Sequence, residues 1–158
     1  MGRLDVQLSS REPGTEPWWE LQLMGPCIAV RVELHPSEIQ QARLEGRSTP
    51  QPVMASALID TGASITVIDQ SIQVALDPAV VGVTFLKGIR DDQALPRPRV
   101  AVRLSLGGSL GPWDAMPACD MVRGKSNNQT ILLGRDFLKG GKLIYDGAAG
   151  LFSIIDSD

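Results

Sequence analysis

Between two runs of strand-forming residues, Val53–Asp60 (VMASALID) and Ile65–Ile68 (ITVI), stands a carboxylate followed at once by Thr61, Gly62, Ala63 and Ser64. An apolar strand delivers Asp60 to its end, Gly62 lets the backbone turn sharply, and a second apolar run resumes. An unpaired carboxylate between buried strands is costly. Two readings follow: a tight turn, for which Asp-Thr-Gly is good chemistry, or an acid put to use.

The rest of the chain is written in short strand signals. Ile28, Val30 and Val32 alternate within Cys27–Leu34 after a Gly25-Pro26 turn, and Arg99–Leu106 (RVAVRLSL) alternates in the same way. Together with VVGVTFLKGIRDD the latter predicts two strands meeting in a hairpin. Met116–Val122 is a shorter strand candidate. Leu143–Tyr145, an Asp146-Gly147 turn and Leu151–Ile155 predict a terminal hairpin. Two or three short helices are expected. One lies around residues 38–45, with Ser37 and Gln40 as a capping box; another is capped by Asp69 or Ser71 and runs through Leu76; the last covers Phe137–Lys139. Residues 1–16 read as a flexible leader and 17–158 as a single domain, with 35–52 an exposed insertion. The fold class is all-β with short helices.

Composition narrows the chemistry. One histidine (His35) and two cysteines (Cys27, Cys119) in 158 residues cannot build a two-histidine metal site or a four-ligand zinc site of Cys and His. Neither a metal nor a cofactor is expected, and any catalysis must use carboxylates, hydroxyls or backbone. The 15 basic and 18 acidic residues argue against a nucleic-acid partner. No apolar run approaches the ~20 residues of a membrane span, and no signal peptide is visible. The expected compartment is cytoplasmic, with reduced thiols.

Ala57-Leu58-Ile59-Asp60-Thr61-Gly62-Ala63-Ser64 resembles the active-site loop of the retropepsin-like aspartic proteases. Ile131-Leu132-Leu133-Gly134-Arg135-Asp136-Phe137-Leu138 is similar to that family's second signature, an apolar run, Gly-Arg-Asp/Asn and a short helix. The resemblance covers roughly residues 25–155. It implies a closed β-barrel lobe, Asp60 as the catalytic acid, Thr61, Gly62 and Ala63 as its loop, and Gly134, Arg135 and Asp136 as structural support. Leu86, Lys87, Gly88 and Ile89 stand where the family places its flap. Two departures are visible. Ser64 occupies a position that is often acidic in viral members, which leaves Asp69, Asp136 or a backbone carbonyl as partners for Arg135. The flap candidate has one glycine rather than a glycine-rich tip.

The implied mechanism needs two carboxylates about 3 Å apart sharing one proton. This chain encodes one Asp-Thr-Gly, so the resemblance implies a homodimer in which Asp60 meets its counterpart on a two-fold axis, and an extended peptide or protein substrate. Thr61 would bond across the axis and Gly62 would allow close approach. Terminal strands of the family often interleave between subunits, so Leu151–Ile155 is either an intersubunit strand or an ordinary core strand. Trp18 and Trp19 are interface anchors or core aromatics. Ala63, where secreted acid proteases commonly carry Ser, removes a hydroxyl that would stabilise the ionised pair, and activity reaching milder acid is expected. The function read here is aspartic endopeptidase; the alternative is a silent dimer that binds peptides or mediates assembly.

Weaker signals are set aside. Gly124-Lys125-Ser126 has part of a phosphate-loop pattern, but Cys119 stands where it needs glycine. Asn128-Gln129-Thr130 is a glycosylation sequon without a secretion signal. A Cys27–His35 nucleophilic pair is disfavoured by its strand setting, and Arg97-Pro98-Arg99 and Arg90-Asp91-Asp92 read as solvated surface.

Overall fold

The computed structural model of the chain describes residues 1–8, 14–88, 91–122 and 129–157. It is mostly β with short helices. Strand β1 (Arg3–Gln7) precedes helix α1 (Pro17–Met24), β2 (Cys27–Leu34), α2 (Pro36–Leu44), β3 (Val53–Ile59), β4 (Val67–Asp69) and α3 (Gln70–Leu76). There follow β5 (Val80–Leu86), β6 (Leu95–Val100), β7 (Val102–Ser105), β8 (Trp113–Ala115), β9 (Ala118–Asp120), β10 (Gln129–Leu133), α4 (Arg135–Leu138), β11 (Gly141–Asp146) and β12 (Leu151–Asp156).

Among the described residues nine strands form one sheet in the order β5-β6-β9-β4-β10-β3-β2-β7-β8, and β1-β12-β11 form a second. No closed barrel forms among the described residues, contrary to the expectation from sequence. Closure would require β5 to pair with β8. The latter is three residues long between Pro112 and Pro117, neither of which has an N–H to donate.

The alternation read in β2 matches its packing: Ile28, Val30, Val32 and Leu34 are buried, with Ala29 and Arg31 exposed. They join Ile59, Ile68, Ile72, Leu104, Ile131 and Phe152 in one core. At about 25 cal/mol per Å² of apolar surface, burial of such side chains is the main force holding the two sheets together.

Several sequence expectations are corrected. Within the leader, Arg3–Gln7 is a strand antiparallel to β12, because Leu4 and Val6 pack on the core while Arg3, Asp5 and Gln7 face out. Trp18 lies in helix α1, which Pro17 opens and Gly25 (φ 70°) ends. Trp18 and Trp19 are 43% and 40% exposed and pack edge to face. The 35–52 segment holds α2 as expected, but His35 caps it, its Nδ1 accepting from Ser37 N at 3.2 Å. This helix is more than an exposed insertion: Ala42 is buried, and Glu38 Oε1 accepts from Ala79 N. Arg97-Pro98-Arg99 lies in β6, paired with β5, rather than in a solvated turn.

The terminal hairpin forms as read, with β11 antiparallel to β12. Within one chain β12 is flanked by β1 and β11 on both edges, and Phe152, Ser153 and Ile154 are buried. It is therefore a central strand with no free edge for interleaving. No helix among the described residues is long and apolar enough to cross a membrane.

Candidate active site

The loop carrying Asp60 joins β3 to β4, and β10 is threaded between these two strands, parallel to β3 and antiparallel to β4. That arrangement brings the second sequence signature to the first. Asp60 N donates to Leu133 O at 2.9 Å, and Arg135 N donates to Ala63 O at 2.9 Å. The loop also closes on itself: Ala63 N donates to Asp60 O at 3.2 Å, and Gly62 N to Asp60 Oδ1 at 2.8 Å. Asp60 Oδ2 has no partner among the described residues. Asp60 and Ala63 are half-buried, whereas Thr61 and Gly62 are exposed.

Arg135 braces the loop. Its Nη1 donates to Thr61 O at 2.8 Å and Gly62 O at 3.3 Å, which selects the backbone carbonyls among the three partners open to it from sequence. Both bonds leave one guanidinium nitrogen, whose two N–H groups can each meet a carbonyl. Gly134 is needed for close approach: a Cβ there would lie 2.6 Å from the backbone carbon of Ile65.

Beneath the loop, Thr66 is fully buried and satisfied on every side. Its N donates to Asp136 Oδ2 at 3.0 Å and its hydroxyl to Asp136 Oδ1 at 2.8 Å, while Gly134 N donates to the same hydroxyl at 3.1 Å. Sequence reasoning named Gly134 and Asp136 but missed Thr66. The signal was a lone hydroxyl inside the apolar run Ile65–Ile68, where an unpaired hydroxyl would be costly.

Of the flap candidates, Leu86, Lys87 and Gly88 sit at the tip of the β5–β6 hairpin. Leu86 ends β5, Lys87 and Gly88 are exposed, and Ile89 lies outside the described residues. Gly88 N donates to Asp91 Oδ2 at 2.9 Å, and Asp91 N donates back to Gly88 O. Among the described residues no hydrogen bond links this tip to the Asp60 loop. A groove of about 500 Å³ lined by Met54, Ala55, Ser56, Ser71 and Thr130 does not include Asp60.

The thiols are placed for packing. Cys119 is buried, and burial pushes its thiol up to about 11. Cys27 Sγ accepts from Gln129 Nε2 and donates to Met24 O, while His35 lies beyond the other end of β2. Among the described residues no three His, Cys, Asp or Glu side chains are grouped to hold a metal ion. The Gly124-Lys125-Ser126 segment and Asn128 of the sequon lie outside the described residues.

No protein-family model matches the chain, and no curated protein matches it either. Among solved structures it is similar to a retropepsin-like aspartic protease from Rickettsia conorii, over 97% of this chain and 90% of that one, at 10% identity and a TM-score of 0.46. A likeness at that level leaves the fold and the chemistry to be argued from this chain's own residues.

Proposed function

We propose that the chain is one half of an aspartic endopeptidase, in which Asp60 from two copies shares a water and a proton across a two-fold axis. The observation that carries this reading is the state of the Asp60 loop. Its carboxylate has one oxygen held by the Gly62 N–H and the other unpartnered among the described residues, in an exposed loop braced by Arg135. A turn that merely joined two strands would need no such brace. A carboxylate that must meet another within ~3 Å needs a fixed backbone and one free oxygen.

In this reading the ionised member of the pair takes a proton from the water, which attacks the scissile carbonyl while the neutral member donates to its oxygen. The two carboxyls titrate as a unit, so neither chain is permanently acid or base. Peptide, water and carboxyls suffice, and no cofactor enters. The substrate is an extended peptide, lying as a strand beneath the tip of the β5–β6 hairpin.

The test uses the full chain, wild type and Asp60→Asn, incubated with an unfolded protein with and without a statine-type inhibitor. Cleavage by the wild type alone, abolished by inhibitor, supports the proposal. Equal cleavage by both assigns the activity to a contaminant. A wild-type dimer that binds peptide without cleaving it would favour the silent binding module instead.

A further inference from the structure

Strand β6 (LPRPRV) holds the β5–β6 hairpin to the body of the sheet, yet it is poorly equipped to do so. Its neighbour on the inner side is β9, and the register there is a single pair, Arg99 opposite Ala118. Val100 N donates across this seam to Pro117 O at 3.1 Å. Alternate residues of a strand direct their N–H groups to the same neighbour, so the next two donors toward β9 would be residues 98 and 96. Both are proline and have no N–H.

Two arginine side chains bridge the seam in their place. Arg99 Nε donates to Met116 O at 2.8 Å. Arg97 Nε, buried and without a hydrogen-bond acceptor among the described residues, lies 2.9 Å from Asp120 Oδ1, a contact held by charge rather than by a directed hydrogen bond, with the side chains 26% and 30% exposed. Continuing the antiparallel register two residues from the Arg99–Ala118 pair sets Arg97 directly opposite Asp120. The contact is thus a cross-strand charge pair where the backbone ladder lapses.

The far side of β9 is firmly tied. It runs parallel to β4, pairing Ala118 with Val67 and Asp120 with Asp69, and Ala118 N donates to Thr66 O at 3.0 Å. Thr66 is the residue that Asp136 and Gly134 hold beneath the Asp60 loop. A continuous line of contacts therefore runs from that loop through Thr66 and β9 to Asp120, and ends on Arg97 at the hairpin.

We infer that the Arg97–Asp120 pair is a latch that fixes the β5–β6 hairpin to β9, making Arg97 and Asp120 positioning residues for the peptide-binding side of the Asp60 site. The hairpin's attachment follows from the seam alone; the effect on peptide rests on the endopeptidase reading. A partly exposed ion pair of this kind changes an opening equilibrium by roughly fivefold at most.

The test compares Arg97→Ala, Asp120→Ala, Arg97→Lys and the charge swap Arg97→Asp/Asp120→Arg in the full chain. Amide hydrogen exchange is followed separately in β5–β6 and in β2–β3, alongside KM and kcat on a peptide substrate. The expected result is exchange about three- to fivefold faster in β5–β6 for the two alanine variants, with β2–β3 unchanged. KM should rise by a similar factor at nearly constant kcat, and Arg97→Lys and the swap should restore much of both. Unchanged β5–β6 exchange in the alanine variants overturns the latch, as does faster exchange spread equally over both regions. Exchange needs no turnover. A chain without peptidase activity would sink the endopeptidase reading while the exchange arm still decided the latch.

Discussion

The guanidinium of Arg135 reaches across 74 residues of sequence to donate to the carbonyl oxygen of Thr61 at 2.8 Å. Asp60 itself receives nothing from Arg135. The arginine instead fixes the peptide planes that follow the carboxylate, and so the direction in which that carboxylate points.

Arg135→Ala and Arg135→Lys should therefore both lower kcat/KM by roughly 10- to 100-fold, the scale of a misplacement near 1 Å. Lysine keeps the charge but is shorter and lacks the rigid guanidinium plane that aims Nη1 at both carbonyls, so it should rescue little. Arg135 is exposed, and thermal stability should fall by only about 1 kcal/mol. Peptide kinetics beside thermal unfolding separate the two effects.

Gly134→Ala should cost about 1–3 kcal/mol, because its new Cβ would press on the backbone of Ile65 rather than on a side chain that can swing away. Gly140→Ala is the matched control, since nothing lies within 4 Å of a Cβ there. Denaturant unfolding of both variants should separate them clearly; equal midpoints would contradict the close approach.

Acid should weaken the fold through carboxylates used structurally. Burial would raise Asp69, but bonds from the Ser71 hydroxyl and N–H and from Val122 N–H outweigh it and hold the carboxyl below its ordinary range. The side-chain bond from Arg103 does the same for Asp114. A depressed native value stabilises the fold above the unfolded value of about 4, and that contribution is lost as pH falls through the native one. Thermal midpoints should decline below about pH 4. Asp69→Ala, which also removes the α3 cap, should cost about 1 kcal/mol at neutral pH, with the gap to wild type narrowing in acid. A gap independent of pH would contradict this assignment.

What could be read from sequence was local. The alternation of Ile28, Val30 and Val32 specifies a half-buried strand by itself, and the Gly134-Arg135-Asp136 signature does meet the Asp60 loop. The missed elements depend on distant partners. Leu4 and Val6 make β1 a strand only because β12 offers an edge 150 residues away. Trp18–Met24 carries no clear periodicity, and the helix it forms is bounded by Pro17 and Gly25. Arg97-Pro98-Arg99 reads as solvated surface by itself, and the arginine contacts that make β6 viable lie on β9 and the turn before it. Barrel closure was implied by resemblance alone, and the short β8 between two prolines ends the sheet instead.

The central claim is that one active centre takes one Asp60 from each of two chains. Unfold and refold together varying proportions of wild type and Asp60→Asn at fixed total concentration, and measure peptide cleavage. Activity should follow the square of the wild-type fraction, with roughly one quarter remaining at equal amounts, because only wild-type pairs carry both carboxylates. A linear fall, leaving roughly one half, would mean that each chain works with its own Asp60 alone and would contradict the account.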